Sequence, residues 1–551
     1  MPTITFSLVD LNNLIGKKIT EEKLVELFDY AKAELERKEG DEITVKFNDT
    51  NQPYLWSVEG LAIFFRGVLG LEKGIPKIKI EKSNNKLFVD KSVKTVRPYI
   101  SAFIAKGVKI DDYLLKQIIQ LQEKLCDNYG RRRQKIAIGV YTSKKIEFPV
   151  NYKAVDPESV DFVPLDFKES LNLREIIEKH PKGKEYAWIL KDEKRYPILL
   201  DSRKNILSFP PIINSAELGK IKTGDDELFF EATGNDENAI RLATNIFAHA
   251  LYLRGFKLYS ITIEYDNKKI ETPDIRTEKI KINKELIKSL IGIELKDKEV
   301  KELLEKARYD FDNYSVEIPS FRQDIMHAVD VVEDVAIQYG YNNLESSPLT
   351  TYTIGQTFEK TNFVDRIRTI IVGLGFQEVW SSVLSNKKLM NEQMNIENEE
   401  KNNMIEIEEY ISETYSTVRN WLTPIMLDFL SQNKHNDFPQ KIFEQGIVTT
   451  KNDKEINDYE NISIVTSQPN TDFTEIKQVL DYIMKLLNLT YQLDETEHNS
   501  FISGRIGKII VNKTEIGLIG EISPKILFNF HLENPVAALE LNLTKLFELV
   551  K

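Results

Sequence analysis

The chain has 551 residues, 41% of them hydrophobic and 29% charged, with a formal net charge of −12. Such a mixture builds a core in each of about three or four domains and excludes a mainly disordered protein. The acidic balance excludes a basic nucleic-acid coat, although a local basic patch stays compatible with RNA.

The first 35 residues open on a strand, "TITFSL", followed by "LIGKKITEEKLVELFDYA". There Thr20 caps a helix whose apolar stripe is Leu24, Leu27 and Phe28. The most apolar stretch, "LAIFFRGVLGL" at 61–71, contains Arg66 and is too short for a bilayer. The opening residues lack the order of a signal peptide. A single cysteine, Cys126, permits no internal disulfide, and the six histidines stand at no zinc-like spacing. A reducing, cytoplasmic setting is expected.

Residues 97–265 read as one mixed α/β domain. A long helix, "DDYLLKQIIQLQEKLCDNYG", leads to the basic run Arg131, Arg132, Arg133 and Lys135, then to a buried strand, "IAIGVY". Further strands are "YPILLDS", "NILSFPPIIN" and "ELFFEATG", before the helix "ENAIRLATNIFAHALYLRG", where His249 reads as a packed residue. The basic run fits RNA phosphates, or equally a solvated helix end. "LIGIELKDKEVKELLEKA" at 290–307 then repeats the early pattern. Leu290, Ile291 and Gly292 fall on Leu14, Ile15 and Gly16, and Val300, Leu303 and Leu304 on Leu24, Leu27 and Phe28. This weak repeat suggests two small helical, helix–turn–helix-like modules of similar design; the alternative is that any two helix–turn–helix units match this well. After a linker near 345, residues 350–551 alternate helices with strands, among them "FQEVWSSVLS" and a hairpin turning at Asn512-Lys513. "MNIENEEKNNMIEIEEY" reads as a surface excursion.

The stretch "PSFRQDIMHAVDVVEDVAIQYGY" gathers Asp324, Asp330, Glu333 and Asp334 within eleven residues. A helix starting near Asp330 puts Asp330, Glu333 and Asp334 at i, i+3 and i+4. Acidic residues suit a helix start, but three on one face repel each other. A hard divalent cation, Mg²⁺ before Ca²⁺, would neutralise oxygen-only ligands.

This stretch, with "LIGIELKDKEVKELLEKA" before it, resembles a module of the phenylalanyl-tRNA synthetase β subunit, archaeal or eukaryotic type. "FSLVDLNNLIGKKITEEKLVELF", "RPYISAFIAKGV", "ILSFPPIIN", "RNWLTPIMLDFLSQNKHNDFPQKIFEQGIV" and "GLIGEISPKIL" extend the resemblance over essentially the whole chain. It implies a multidomain α+β protein. The parts are an N-terminal module (1–90), a proofreading α/β domain (97–265), a magnesium-binding helical module (268–345) and a catalytically degenerate class II synthetase-like antiparallel-sheet domain (350–551). The implied partners are an α subunit, as two α and two β chains, and tRNA(Phe), with ATP and phenylalanine handled on α.

The resemblance further implies Asp324, Asp330, Glu333 and Asp334 as ligands of Mg²⁺. It implies Leu199, Ser208, Glu231 and Thr233 as the pocket that removes tyrosine from mischarged tRNA. Leu199 would wall the ring, Glu231 would accept the phenol, and Ser208 and Thr233 would position the ester or amino group. Asn214 would shape the loop. Arg131, Arg132, Arg133 and Lys135 would meet the tRNA backbone. Degeneracy agrees with composition, since 350–551 holds only Arg366, Arg368, Arg419 and Arg505 to grip ATP phosphates. A stand-alone nucleic-acid-binding module and an autonomous deacylase remain the competing readings.

Overall fold

A computed structural model describes residues 2–396, 403–452 and 455–551. The chain divides into two compact units, 1–347 and 348–551.

The N-terminal unit contains the repeated module twice. In the first copy the strand Thr3–Ser7 precedes the helices Leu8–Ile15 and Glu21–Tyr30, and the strands Ala33–Glu39 and Glu42–Phe47 follow. The second copy runs Glu278–Lys281, Lys284–Ile291, Asp297–Lys306, Asp310–Asp312 and Ser315–Ile318 in the same order. In both, the last strand pairs between the other two. Gly16 (φ 79°) and Gly292 (φ 82°) end the first helix of each copy in the left-handed conformation that glycine adopts without a Cβ penalty. The helical modules expected from sequence are therefore α+β units. Only the opening strand was read from sequence; Ala33–Glu39, "AELERKE", is charged, and the alternating Ile43, Val45 and Phe47 of Glu42–Phe47 were passed over.

Between the copies lies an eleven-stranded sheet. Its main path runs Ile213–Asn214, Ile206–Phe209, Tyr196–Leu200, Val150–Val155, Lys86–Val89, Lys257–Glu264, Tyr99–Lys106, Glu227–Gly234, Ile136–Thr142. Lys86–Val89 runs parallel to both neighbours, and the remaining neighbours on this path are antiparallel. Strands at 80–81 and 86–89, and another at 269–272, thus belong to this sheet, which reaches past the 97–265 limits drawn from sequence. The helices Asp112–Lys124 and Glu237–Leu253 cover one face through Leu114, Ile118, Leu121, Ile240, Phe247 and Leu251. The core they build is continuous with that of the first module. His249 is buried there, edge-on to Phe321, and burial pushes its pKa down to about 3, as suits a packed residue.

The C-terminal unit is a seven-stranded sheet in the order Gln377–Glu378, Gln440–Asn452, Glu455–Ser467, Val536–Asn542, Thr514–Ile522, Phe501–Val511, Gln492–Glu495. Only the first pair is parallel. Alternate residues face opposite cores. Phe443, Ile464 and Leu539 meet the helices Glu359–Gly373 and Phe473–Leu486, while Ile442, Val465 and Ala538 meet Thr423–Gln432. Asn512 and Lys513, both with positive φ, form the expected hairpin turn. "FQEVWSSVLS" is broken into Gln377–Glu378 and Leu384–Ser385, because Ser381 turns its N–H and hydroxyl onto Glu444. Met394, at the start of the expected excursion, is fully buried, and residues 397–402 of it lie outside the described residues.

Candidate functional site

The two ends of the eleven-stranded sheet curl toward each other. The edge strand Ile213–Asn214 and the opposite edge strand Ile136–Thr142 approach where the Tyr141 hydroxyl lies 3.5 Å from Asn214 Oδ1. A cavity of about 190 Å³ opens at this seam, lined by Ser208, Glu231, Asn214, Arg133, His180 and Gln122 among others. Ser208 reaches it from Ile206–Phe209 and Glu231 from Glu227–Gly234, strands far apart along the sheet but joined by its curl.

Glu231 is 3% exposed and Ser208 2%. The Tyr141 hydroxyl donates to Glu231 Oε1 at 2.8 Å. Glu231 Oε2 is buried without a hydrogen-bond partner. Ser208 Oγ lies beside the Tyr141 hydroxyl, close enough to favour its ionised form as a donor would, but without a hydrogen bond of ordinary geometry. Burial pushes the Glu231 carboxyl up to about 7, opposed by the Tyr141 hydrogen bond and the Arg97 guanidinium. The pair fits because Gly139 stands opposite Glu231 in the register; a Cβ there would fall 2.1 Å from the Tyr141 hydroxyl and 2.5 Å from Glu231 Oε1.

Of the four residues expected in this pocket, Ser208 and Glu231 line it. Leu199 is paired with Ser208 across the strands and packs in the core behind. Thr233 shares the face of Glu231 but is capped by buried Arg97, which donates to its Oγ1 (3.1 Å) and its carbonyl (2.6 Å). Sequence reading passed over Tyr141, Gly139 and His180. The available signal was a glycine in mid-strand, which marks a close approach. His180 donates from one ring nitrogen, Nε2, to the Leu165 carbonyl (3.0 Å) and accepts the Lys182 N–H on Nδ1 (3.1 Å), so neither nitrogen is left to act as a base.

The basic run splits by role. Arg131, Arg132 and Arg133 all have positive φ, at 50°, 52° and 66°. This turn leaves Arg131 and Arg132 exposed but brings Arg133 to the cavity wall. Arg133 stacks on Tyr186 at 4.3 Å and donates to the carbonyls of Pro211 and Ile212. Lys135 pairs with Asp236 at 3.1 Å and lies over the Tyr129 ring.

The acidic stretch also divides. Its helix is Ala328–Tyr339, capped by His327. Arg322, buried, bonds Asp324 through Nε (3.0 Å) and Asp334 through a terminal nitrogen (2.7 Å), and Tyr309 adds its hydroxyl to Asp334. Asp330 accepts the N–H groups of Met326 and His327, both at 2.7 Å. Glu333, exposed, meets Lys32 at 2.7 Å, which also meets Asp49. Asp334 thus turns into the core and Glu333 away from it. Among the described residues no group of three or more His, Cys, Asp or Glu side chains is placed to hold a metal ion. As they stand, the four carboxylates do not form the four-ligand cage expected from sequence, because Arg322 and Lys32 already divide them.

In the C-terminal unit Arg419 is buried against Glu444 (2.6 Å), with further bonds to Ser381 Oγ and the Ile447 carbonyl. Arg505 meets Glu521, and Arg368 meets Asp365 and Glu378. Glu540 is buried under the start of the helix Thr423–Gln432, accepting from Leu422 N, Thr423 N and Thr423 Oγ1. Near the small sheet of Leu384–Ser385, Thr417–Val418 and Ile405–Glu406, the side chains of Trp380 (89% exposed), Val383, Tyr410, Ile411 and Tyr415 face solvent. No helix among the described residues is long and apolar enough to cross a membrane.

Two family models match the chain: the phenylalanyl tRNA synthetase beta chain CLM domain over residues 345–543 and the tRNA synthetase B5 domain over 280–341. The chain is 42% identical to the phenylalanine–tRNA ligase beta subunit of Thermococcus onnurineus, over 99% of each chain. It is 41% identical to that of Pyrococcus horikoshii over 99% of this chain and 100% of the relative. For Archaeoglobus fulgidus the identity is 36%, over 100% and 99%. The crystal structure of an N-terminal fragment of the Pyrococcus horikoshii phenylalanyl-tRNA synthetase beta subunit superposes with a TM-score of 0.60 at 42% identity, covering 62% of this chain and all of the fragment.

Proposed function

The chain belongs to the phenylalanine–tRNA ligase β-subunit family, and on that premise we propose that its seam cavity is a proofreading site that hydrolyses tyrosine from mischarged tRNA(Phe). The observation that carries this reading is the pair of buried polar groups lining the cavity, Glu231 Oε2 and Ser208 Oγ, that lack hydrogen-bond partners. A buried acceptor without a partner costs about 1–3 kcal/mol. A phenol supplies the missing donor and a phenyl ring does not, so the cavity favours tyrosine by the same asymmetry that lets a polar site reject a ligand lacking the matching group. Ser208, near Tyr141, lies where it can orient the ester. Water attacks the ester carbonyl, the acyl–oxygen bond breaks, and free tyrosine and the ribose hydroxyl of the tRNA are released. With both His180 nitrogens engaged, rate enhancement rests on a positioned water and the substrate's own hydroxyls. Leu199 and Thr233 act from behind, by fixing the strands that carry Ser208 and Glu231. Tyrosyl-tRNA deacylation by the assembled ligase tests this: a Glu231→Ala complex should hydrolyse it at least tenfold more slowly, and an unchanged rate sinks the assignment.

Arg131 and Arg132, exposed beside the cavity wall, fit the phosphates of the incoming tRNA end. The arginines of the C-terminal unit are mostly held by carboxylates, which supports reading that degenerate class II-like unit as a scaffold, with the synthetic site for ATP and phenylalanine on an α partner in an assembly of two α and two β chains. The exposed Trp380, Val383, Tyr410, Ile411 and Tyr415 supply the apolar, aromatic face such a partner needs.

The acidic stretch carries a second reading. With Asp49, its carboxylates outnumber the two cations that face them, Arg322 and Lys32. A magnesium ion keeps much of its water and takes one or two carboxylates. Asp330 and Glu333 would hold it at the rim, while Asp324 and Asp334 would join only if Arg322 withdrew. Its chemistry there is charge neutralisation. If Asp330→Asn with Glu333→Gln leaves the Mg²⁺ dependence of thermal unfolding unchanged, the ion does not bind there.

A further inference from the structure

Glu231 has two oxygens, and its usefulness for reading a phenol depends on which of them is offered. Tyr141 decides this. Its ring is fully buried and lies against Phe229 at 5.8 Å, so the hydroxyl has little freedom. A phenol has one proton. At 2.8 Å from Glu231 Oε1 and 3.5 Å from Asn214 Oδ1, that proton goes to the carboxylate. Asn214 is itself held by donation from Nδ2 to the Gly219 carbonyl (3.2 Å), which keeps its oxygen toward Tyr141. Gly139 removes the side chain that would push the pair apart.

We propose that Tyr141 is a positioning residue for selectivity: it occupies Oε1 of Glu231 with a resident phenol, so that Oε2 alone is presented to the phenol of a misattached tyrosine. This rests on the reading of Glu231 as the phenol acceptor. Without the Tyr141 hydroxyl the carboxyl is free to turn, its charged form loses a donor, and phenylalanine and tyrosine are told apart less well. A hydrogen bond to a charged group contributes about 1.5–3 kcal/mol, which converts to roughly tenfold or more in the ratio of rates.

The test uses the assembled ligase with this chain as wild type, Tyr141→Phe, Glu231→Gln and the double variant, assayed on tRNA charged with tyrosine or with phenylalanine. Phenylalanine charging by the same assemblies reports folding. Tyr141→Phe is expected to lower the tyrosine-to-phenylalanine hydrolysis ratio about tenfold, to move the acid limb of tyrosyl-tRNA hydrolysis to higher pH, and to add nothing to Glu231→Gln in the double variant. A packing defect would slow both substrates equally and leave the ratio unchanged. If Glu231→Gln lowers the ratio and Tyr141→Phe does not, or if their effects multiply, the role of Tyr141 is overturned. If neither variant moves the ratio, Glu231 is not the phenol acceptor and both assignments fall.

Discussion

A carboxyl pushed up to about 7 by burial, as that of Glu231 is, changes its charge near neutral pH. Above that pH Glu231 is a carboxylate, the stronger acceptor for a phenol; below it the group is protonated. Selectivity for tyrosine over phenylalanine should therefore rise between about pH 6 and pH 8, as measured by the ratio of deacylation rates, while Glu231→Gln should flatten that rise. Gly139→Ala should both abolish the selectivity and destabilise the chain by roughly 1–3 kcal/mol in thermal unfolding, because its Cβ has nowhere to go. Ser208 and Glu231 were legible from sequence through the resemblance of their segments. Tyr141 was not, since in "IAIGVY" it looks like ordinary strand filling; the mid-strand Gly139 marked a close approach, but only the curl of the sheet shows what approaches.

The repeated module was partly legible. Gly16 and Gly292 and the stripes after them showed the duplication, but the three-stranded sheets were not read as sheets: the opening strand was visible, the alternation of Ile43, Val45 and Phe47 was overlooked, and the charged Ala33–Glu39 carries no hydrophobic period. Both glycines have open space around them, so Gly16→Ala or Gly292→Ala pays only for the left-handed backbone and should cost each module about 1 kcal/mol in hydrogen exchange of its helices. The acidic stretch was legible as a charge anomaly but not in its solution. Arg322 lies only two residues from Asp324, yet the sequence does not show that it is buried between Asp324 and Asp334. Arg322→Ala would strand two carboxylates in the interior and should destabilise the helix Ala328–Tyr339 by about 3–5 kcal/mol. Removing Lys32, which makes half-exposed pairs, should cost under about 1 kcal/mol. Equal effects in hydrogen exchange would contradict this ranking.

At the scale of the molecule, the two units differ: one holds a curled sheet with a cavity at its seam, the other a seven-stranded sheet beside which Arg419 is buried against Glu444 while Arg368 and Arg505 pair with carboxylates nearer the surface. The scarcity of arginines in 350–551 agrees with the degeneracy that the resemblance implies. The sequence could not show that Arg419 finds its carboxylate in Glu444, 25 residues on. Trp380→Asp should weaken capture of the α partner by tenfold or more, since a solvent-facing tryptophan is the kind of residue that anchors an interface. The proposed proofreading requires tyrosine to be attached on the partner and removed on this chain. The most direct measurement is the accumulation of tyrosyl-tRNA(Phe) by the reconstituted ligase supplied with tyrosine, with this chain as wild type or Glu231→Ala. No accumulation is expected with the wild type and steady accumulation with the variant, at equal phenylalanine charging; equal tyrosyl-tRNA levels in both would overturn the proofreading site.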